Sequence, residues 1–89
     1  MREYPRKVCL EVVNLIEEKN RAYGNSYALT RQEFGEVVFL IRLADKFNRL
    51  KTLLTNPSIP CRDESIEDTI KDIIGYCLLE LEYRHGVKT

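Results

Sequence analysis

Apolar residues are densest in one stretch of the chain, residues 30–55, which reads TRQEFGEVVFLIRLADKFNRLKTLLT. A capping box marks its start, because the Thr30 side chain can accept from the backbone N–H of Glu33 while the Glu33 side chain reaches back to Thr30. Pro57 marks its end, since a proline disfavours helix in the residue before it. We therefore predict one long helix over about 31–55.

The apolar positions of this helix cover more than one of its sides. They are Phe34, Val37, Val38, Leu40, Ile41, Leu43, Ala44, Phe47, Leu50, Leu53 and Leu54. Such a helix is usually central and is packed by neighbours on two faces. Two short partner helices would leave part of it uncovered, and an uncovered apolar patch is typical of an interface. The sequence therefore predicts a homo-oligomer, a dimer or higher, with the dimer as the commonest outcome.

A further amphipathic helix is predicted on each side of the central one. The first covers about 5–23 and ends where Gly24 can take the left-handed conformation of a helix stop. The last covers about 64–84, with Ser65 as its N-cap and Asp63 as the competing cap. No segment of useful length alternates with a period of two. The predicted fold is thus an all-α compact bundle of three helices.

Length and composition are those of one folded domain over residues 1–89. Apolar residues make up 44% and charged residues 31%, which argues against disorder. The formal net charge is zero, which disfavours duplex nucleic acid as a partner. No apolar run approaches membrane-spanning length, and we expect neither a membrane segment nor a signal peptide. Three cysteines without CxxC spacing indicate free thiols and a cytoplasmic protein.

The first candidate site is the segment KNRAYGNS at residues 19–26. Its positive charge and backbone N–H groups can hold a phosphate, and its tyrosine can stack on a base. The candidate nucleotide-binding residues are Lys19, Asn20, Tyr23, Gly24, Asn25 and Ser26. The alternative is a capped helix end, in which the cations favour the helix dipole and the glycine makes the turn.

A basic stripe follows the central helix through Arg42, Lys46 and Arg49, with Asp45 among them. The spacing places these side chains on one face. Three cations with one anion could clamp a polyphosphate. The alternative is a solvated face with one internal ion pair, which stabilises by only about 0.3–0.5 kcal/mol.

The last helix carries a stripe of acidic residues. Glu64 lies upstream of Asp68 and Asp72, which are one turn apart and share a face. Carboxylates of this kind could bind Mg²⁺ together with substrate phosphates, whereas the alternative is acidic residues favoured by the helix dipole. Gly75 and Tyr76 continue the stripe, and a glycine inside a helix suits a close approach of another backbone or a ligand. Tyr76 joins the candidate nucleotide-binding residues.

The order of these motifs resembles the nucleotide modification associated domain family of phage and bacterial proteins. The resemblance covers about Lys19 to Leu79. It is carried by three segments: Lys19-Asn20-x-x-Tyr23-Gly24-Asn25-Ser26, Asp45-Lys46-x-x-Arg49-Leu50, and Glu64-Ser65-x-x-Asp68-x-x-x-Asp72-x-x-x-Tyr76. It implies an all-helical domain, often phage-encoded, that is linked to nucleotide metabolism.

The chain is also similar to the all-α nucleotide pyrophosphohydrolases of the MazG type. These enzymes use clustered Glu and Asp on facing helices to hold Mg²⁺ at a nucleoside triphosphate. Their first helix carries the pattern E-E-x-x-E. This chain has Glu17 and Glu18, but Arg21 stands in the place of the third carboxylate, so the acidic cluster is incomplete.

Three functions follow as hypotheses. In the first, the chain is a small, phage-encoded protein that binds or sequesters a free nucleotide, including a cyclic or modified one, through its basic helix face. In the second, it is a Mg²⁺-dependent nucleoside triphosphate pyrophosphohydrolase whose metal ligands are Glu64, Asp68 and Asp72, with Glu17 as an alternative to Glu64. In the third, it is a small oligomeric adaptor without a ligand. The residues leave open whether the protein is an enzyme.

Overall fold

The structure is a computed structural model that describes residues 2–86. It contains four α-helices in this part of the chain: α1 (Glu3–Tyr23), α2 (Ser26–Phe34), α3 (Val37–Thr55) and α4 (Arg62–Gly86). No strand occurs among the described residues, so the all-α class predicted from the sequence is confirmed. Within the same residues, no helix is both long and apolar enough to cross a bilayer.

The number of helices corrects the sequence prediction of three. The segment predicted as one helix over 31–55 is divided by Gly35, whose φ of 84° and ψ of −166° lie outside helical space. Residues with a Cβ rarely adopt this φ, whereas glycine does so without steric cost. Thr30 accordingly lies inside α2, and the predicted capping box does not start a helix.

The turn between α1 and α2 is made by two consecutive left-handed residues. Gly24 has φ 64° and Asn25 has φ 60°, and the backbone N–H groups of both donate to the carbonyl of Asn20. These bonds satisfy a carbonyl that the end of α1 would otherwise leave unpaired. The predicted end of the first helix at residue 23 is therefore confirmed.

α4 begins earlier than the sequence predicted, after Cys61, whose φ is 54°. Ser65 lies inside the first turns, where its backbone N–H donates to the Cys61 carbonyl at 3.0 Å. The predicted caps Ser65 and Asp63 were therefore wrong. Arg62 links the start of α4 to the end of α3. Its Nε donates to the carbonyl of Leu53 at 2.6 Å and so caps the end of α3.

α4 is the central helix of the described chain, since it packs against each of the other three. It runs antiparallel to α3. Arg62, at the start of α4, contacts Leu53 near the end of α3, whereas Asp72, further along α4, contacts Lys46 near the middle of α3. The buried apolar side chains come from three helices and are Val12, Tyr27, Val38 and Leu53. The sequence instead predicted that the helix over 31–55 would be central.

A buried carboxylate fixes α2 on α4. Glu80 is 3% exposed and accepts from Tyr27 Oη at 2.7 Å, from Arg31 Nε at 3.0 Å and from Arg84 Nε at 2.6 Å. Hydrogen bonds from Arg31, Tyr27 and Arg84 together outweigh the effect of burial and lower the pKa of Glu80 to about 2. Burial, followed by the bond to Glu80, raises the pKa of Tyr27 above its ordinary value, so its hydroxyl remains a donor.

We predict that Glu80→Gln lowers the free energy of unfolding at pH 7 by about 3–5 kcal/mol, because it leaves the buried guanidinium of Arg31 unpaired. Urea unfolding followed by circular dichroism measures this change. Glu67→Gln, at an exposed position of the same helix, is the control and should change stability by at most about 0.5 kcal/mol.

The wild type and Glu80→Gln also test how the stability depends on pH. The pKa of Glu80 is about 2 in the fold against an ordinary value of 4.5. A depressed carboxyl pKa contributes stability that is complete above the ordinary value and is lost as the pH falls toward the folded value. The stability difference between the wild type and Glu80→Gln should therefore shrink between pH 4.5 and pH 2. A difference that stays constant over this range would contradict the assignment.

Candidate functional site

A cavity of about 440 Å³ opens between α1, α3 and α4, with the start of α2 at its edge. Its floor is apolar and is formed by Val12, Leu15, Ile16, Gly75 and Leu79. Its polar lining consists of Lys19, Asn20, Tyr23, Ser26, Tyr27, Arg42, Lys46, Lys71, Asp72 and Tyr76. An apolar floor beside convergent polar groups is typical of a small-molecule site.

Much of this lining was predicted from the sequence. The predicted site residues that line the cavity are Lys19, Asn20, Tyr23, Ser26, Arg42, Lys46, Asp72 and Tyr76. They come from α1, α2, α3 and α4 and lie far apart in the sequence. The structure brings them together, while their binding of a nucleotide stays a prediction.

The remaining predicted residues do not line this cavity. Gly24 and Asn25 form the turn between α1 and α2, where Asn25 borders a second cavity of about 410 Å³ beside Tyr83. Arg49, Glu64 and Asp68 are exposed at positions beyond the cavity lining.

Positive charge dominates the cavity lining. Lys19, Arg42, Lys46 and Lys71 face a single carboxylate, that of Asp72. Lys46 Nζ lies 3.4 Å from Asp72 Oδ2 and 6.0 Å from the ring centroid of Tyr76. A group of cations around an apolar floor attracts an anion, and guanidinium and ammonium groups are the usual partners of phosphate.

Three tyrosines surround the charged groups. Tyr27 and Tyr76 have ring centroids 6.1 Å apart at an interplanar angle of 41°, which is within the usual range for an aromatic pair. The hydroxyl of Tyr27 is held by Glu80, so its ring is fixed in place. Tyr23 lies at the rim with 71% of its surface exposed, and its ring is therefore free to cover a bound planar group.

Gly75 opens the floor of the cavity. A Cβ at this position would lie 3.4 Å from Ile16 Cδ1 and 4.0 Å from Val12 Cγ1. The Cβ of an alanine would therefore make ordinary contact with α1, whereas a larger side chain would extend into the same space. Close packing at this glycine is what a helix-interior glycine suggests in a sequence.

The structure does not gather the predicted metal ligands Glu64, Asp68 and Asp72. No group of three or more His, Cys, Asp or Glu residues within residues 2–86 is arranged to hold a metal ion. Asp72 is the carboxylate in the cavity lining, and it is already paired with Lys46. These donors would fit Mg²⁺ only with most of its ligands supplied by phosphate and water. A role of Mg²⁺ stays a prediction.

Sequence reasoning missed two polar residues of the lining, Tyr27 and Lys71. Lys71 precedes Asp72 and is one turn before Gly75, so its position on the same stripe was a signal that could have identified it. Tyr27 gave no such signal, because α2 was not predicted to begin before residue 31.

The comparisons with known proteins give one family. A model of the family described as nucleotide modification associated domain 1 matches residues 19–81, which confirms the resemblance drawn from the sequence motifs. No curated protein and no solved structure matches the chain. The similarity to pyrophosphohydrolases of the MazG type stays a prediction.

Gly75 in the floor of the cavity and Gly24 in the turn between α1 and α2 should respond oppositely to alanine. We predict that Gly75→Ala raises the free energy of unfolding by up to about 1 kcal/mol, because alanine favours helix and its Cβ makes an ordinary contact at 3.4 Å. Gly24→Ala should lower it by about 1–2 kcal/mol, because the left-handed φ of 64° is costly for alanine. Thermal and urea unfolding measure both changes. A larger loss at Gly75 than at Gly24 would contradict the ordinary contact of an alanine Cβ with Ile16.

Proposed function

The chain belongs to the nucleotide modification associated domain 1 family, and on this premise we propose that it binds a free nucleotide in the cavity between α1, α3 and α4. The observation that carries the proposal is the lining of the cavity, where four cations and three tyrosines face one carboxylate. Cations can neutralise the phosphate groups of a nucleotide, and an aromatic ring offers a flat surface on which its base can stack.

Each part of the lining has a role in this proposal. Arg42 and Lys46 on α3 and Lys71 on α4 neutralise the phosphate groups. Tyr23 covers the base from the rim. Asn20 offers an amide that can read the edge of a base by donating and accepting hydrogen bonds.

The volume of the cavity supports a small ligand. About 440 Å³ lies within the range of about 300–1,000 Å³ that is usual for small-molecule sites. A nucleotide, including a cyclic or modified one, is of this size, whereas a polymer would need a groove that continues past the site. We propose that the protein is phage-encoded and that it sequesters such a nucleotide.

Hydrolysis of nucleoside triphosphates with Mg²⁺ is the second candidate, and one observation favours it. Asp72 lies in the cavity beside Lys46, where a carboxylate could contribute to binding a metal at a phosphate. The other predicted ligands, Glu64 and Asp68, lie outside the lining. Sequestration therefore has the better support.

We also propose that the protein is a homo-oligomer. Its accessible surface is 6837 Å², whereas a compact monomer of 89 residues exposes about 5,400 Å². Its radius of gyration of 14.5 Å exceeds the value of about 12 Å for such a monomer. The excess of about 1,400 Å² is larger than the area of about 800 Å² that one partner gives to an ordinary interface, so a second copy of the chain can cover a large part of it.

The surface proposed for self-association lies on α3. Leu40, Phe47 and Leu54 are exposed and recur every seven residues, which aligns them in one row along the helix. Val37 and Ile41 widen this row and are also exposed. An apolar row of this spacing is the pattern by which two helices pack against each other.

We predict that nucleotide binding depends on the cations of α3. Isothermal titration calorimetry against mono-, di-, tri- and cyclic nucleotides should give a dissociation constant below about 1 mM for at least one of them, since the cavity has the volume of a small-molecule site. Arg42→Gln and Lys46→Gln should each weaken this binding about tenfold, the effect of losing one charge-assisted hydrogen bond.

Lys7→Gln is the matched control, since Lys7 is exposed on α1 and lies outside the cavity lining. It should leave the affinity within about twofold of the wild type. Absence of binding for every nucleotide at millimolar concentration would reject the proposal. Release of phosphate or pyrophosphate with Mg²⁺, lost in Asp72→Asn, would favour the hydrolase instead.

We predict that Leu40→Glu dissociates the oligomer, because it places a charge in the apolar row, where Leu40 is 65% exposed in the single chain. Light scattering coupled to size-exclusion chromatography measures the mass. Arg49→Glu is the control, because a position nine residues on lies on the opposite side of the helix. A wild type of monomeric mass would contradict the proposal, as would equal effects of the two variants.

A further inference from the structure

Asp72 is the anomalous group of the cavity, because it is a carboxylate in a lining proposed to bind anions. Its Oδ2 lies 3.4 Å from Lys46 Nζ, and Lys71 and Arg42 line the same cavity. We infer that Asp72 is a displaceable counter-ion, which holds Lys46 in the ligand-free protein and yields it to a phosphate group of the ligand. The inference rests on the proposed function and adds how the site selects its ligand.

The ion pair is longer than the contacts of Glu80, the buried carboxylate of the molecule. Glu80 accepts from Arg84 at 2.6 Å and from Arg31 at 3.0 Å, whereas a good contact between an ammonium and a carboxylate is about 2.7–2.9 Å long. The side chains of Lys46 and Asp72 are 22% and 32% exposed, against 4% for Glu80. Glu80 is therefore a permanent structural partner, while Asp72 is open to exchange with a solute.

The charges around Lys46 explain why a counter-ion is needed. Arg42 precedes Lys46 by one turn of α3, and like charges at this spacing repel. Lys71 adds a third cation from α4. Asp72 reduces the repulsion while the cavity is empty, and an anion of greater charge can do so more completely. The site therefore favours a ligand that presents at least two negative charges, as a nucleotide with several phosphate charges does, over a monoanion or a carboxylate.

The same arrangement gives an expectation for Mg²⁺. A phosphate chain that has bound Mg²⁺ carries less negative charge and gains less from a lining of cations. The cavity offers this metal one carboxylate, which is engaged with Lys46. We therefore expect the metal-free nucleotide to be the preferred ligand and Mg²⁺ to weaken binding.

The test is calorimetry of ADP and of inorganic pyrophosphate, each titrated in EDTA and again in excess Mg²⁺. Asp72→Asn should bind ADP about two- to fivefold more tightly than the wild type, since the ligand no longer competes with an ion pair of ordinary strength. Glu67→Gln removes the same charge from an exposed position of α4 outside the cavity and should leave the affinity unchanged. Circular dichroism melting of both variants checks that the fold is intact.

A double-mutant cycle separates this role from a general effect of charge. If Asp72 acts through Lys46, the gain from Asp72→Asn should shrink in a Lys46→Gln background, because no ammonium remains to be released. A gain that is equal in both backgrounds, or equal to that of Glu67→Gln, would overturn the inference, since Asp72 would then act only by its long-range charge.

Two further outcomes also overturn it. Weaker binding by Asp72→Asn would mean that the carboxylate contacts the ligand, and binding that requires Mg²⁺ would mean that Asp72 serves a metal. In both cases a nucleotide is bound, so the proposed function survives. If neither the wild type nor Asp72→Asn binds any nucleotide of the calorimetric panel or pyrophosphate at millimolar concentration, the proposed function fails and the inference falls with it.

Discussion

The carboxylate of Glu80 is the constraint on which the arrangement of α2 depends. It is 3% exposed, and a buried carboxylate is stable only with donors at its oxygen atoms. Two of its donors, Tyr27 and Arg31, belong to α2, and the third, Arg84, belongs to α4. α2 has nine residues, too few for an isolated helix to be stable in water. These contacts therefore help to hold α2 in place, and the docked helix presents Ser26 and Tyr27 to the cavity.

The sequence predicted helices wherever apolar residues recur, but it could not locate the break at Gly35. A glycine inside a helix costs only about 1 kcal/mol, so a periodic pattern on both sides of it indicates continuity. Gly35, with φ 84°, separates α3 from α2, which docks on α4 through a contact between residues far apart in the sequence. Glu80 itself was not identified, because a glutamate between Leu79 and Leu81 gives no sign of whether a guanidinium will meet it.

The sequence likewise predicted some features of the candidate site and could not predict others. Helical spacing gives the direction of a side chain around the helix axis but not how far along the axis the cavity extends. Arg42, Lys46 and Arg49 share a face, yet the lining includes the first two and ends before the third. On the antiparallel α4, Asp72 lies in the lining and Asp68, one turn earlier, does not. Both exclusions occur at the same end of the α3–α4 pair, and residues of α1 between 12 and 23 form the third wall of the cavity.

The distribution of charge limits the kind of ligand such a site can serve. The chain carries 14 basic and 14 acidic residues, so no field of the whole molecule draws an anion toward it from a distance. Within the cavity, however, four cations face one carboxylate, and at ordinary ionic strength their attraction acts over about 8–10 Å. A local excess of this range suits a small anion that enters the cavity and is surrounded by it. A long nucleic acid would leave most of its phosphates over a surface of mixed charge, so the electrostatics support a free nucleotide over a polymer.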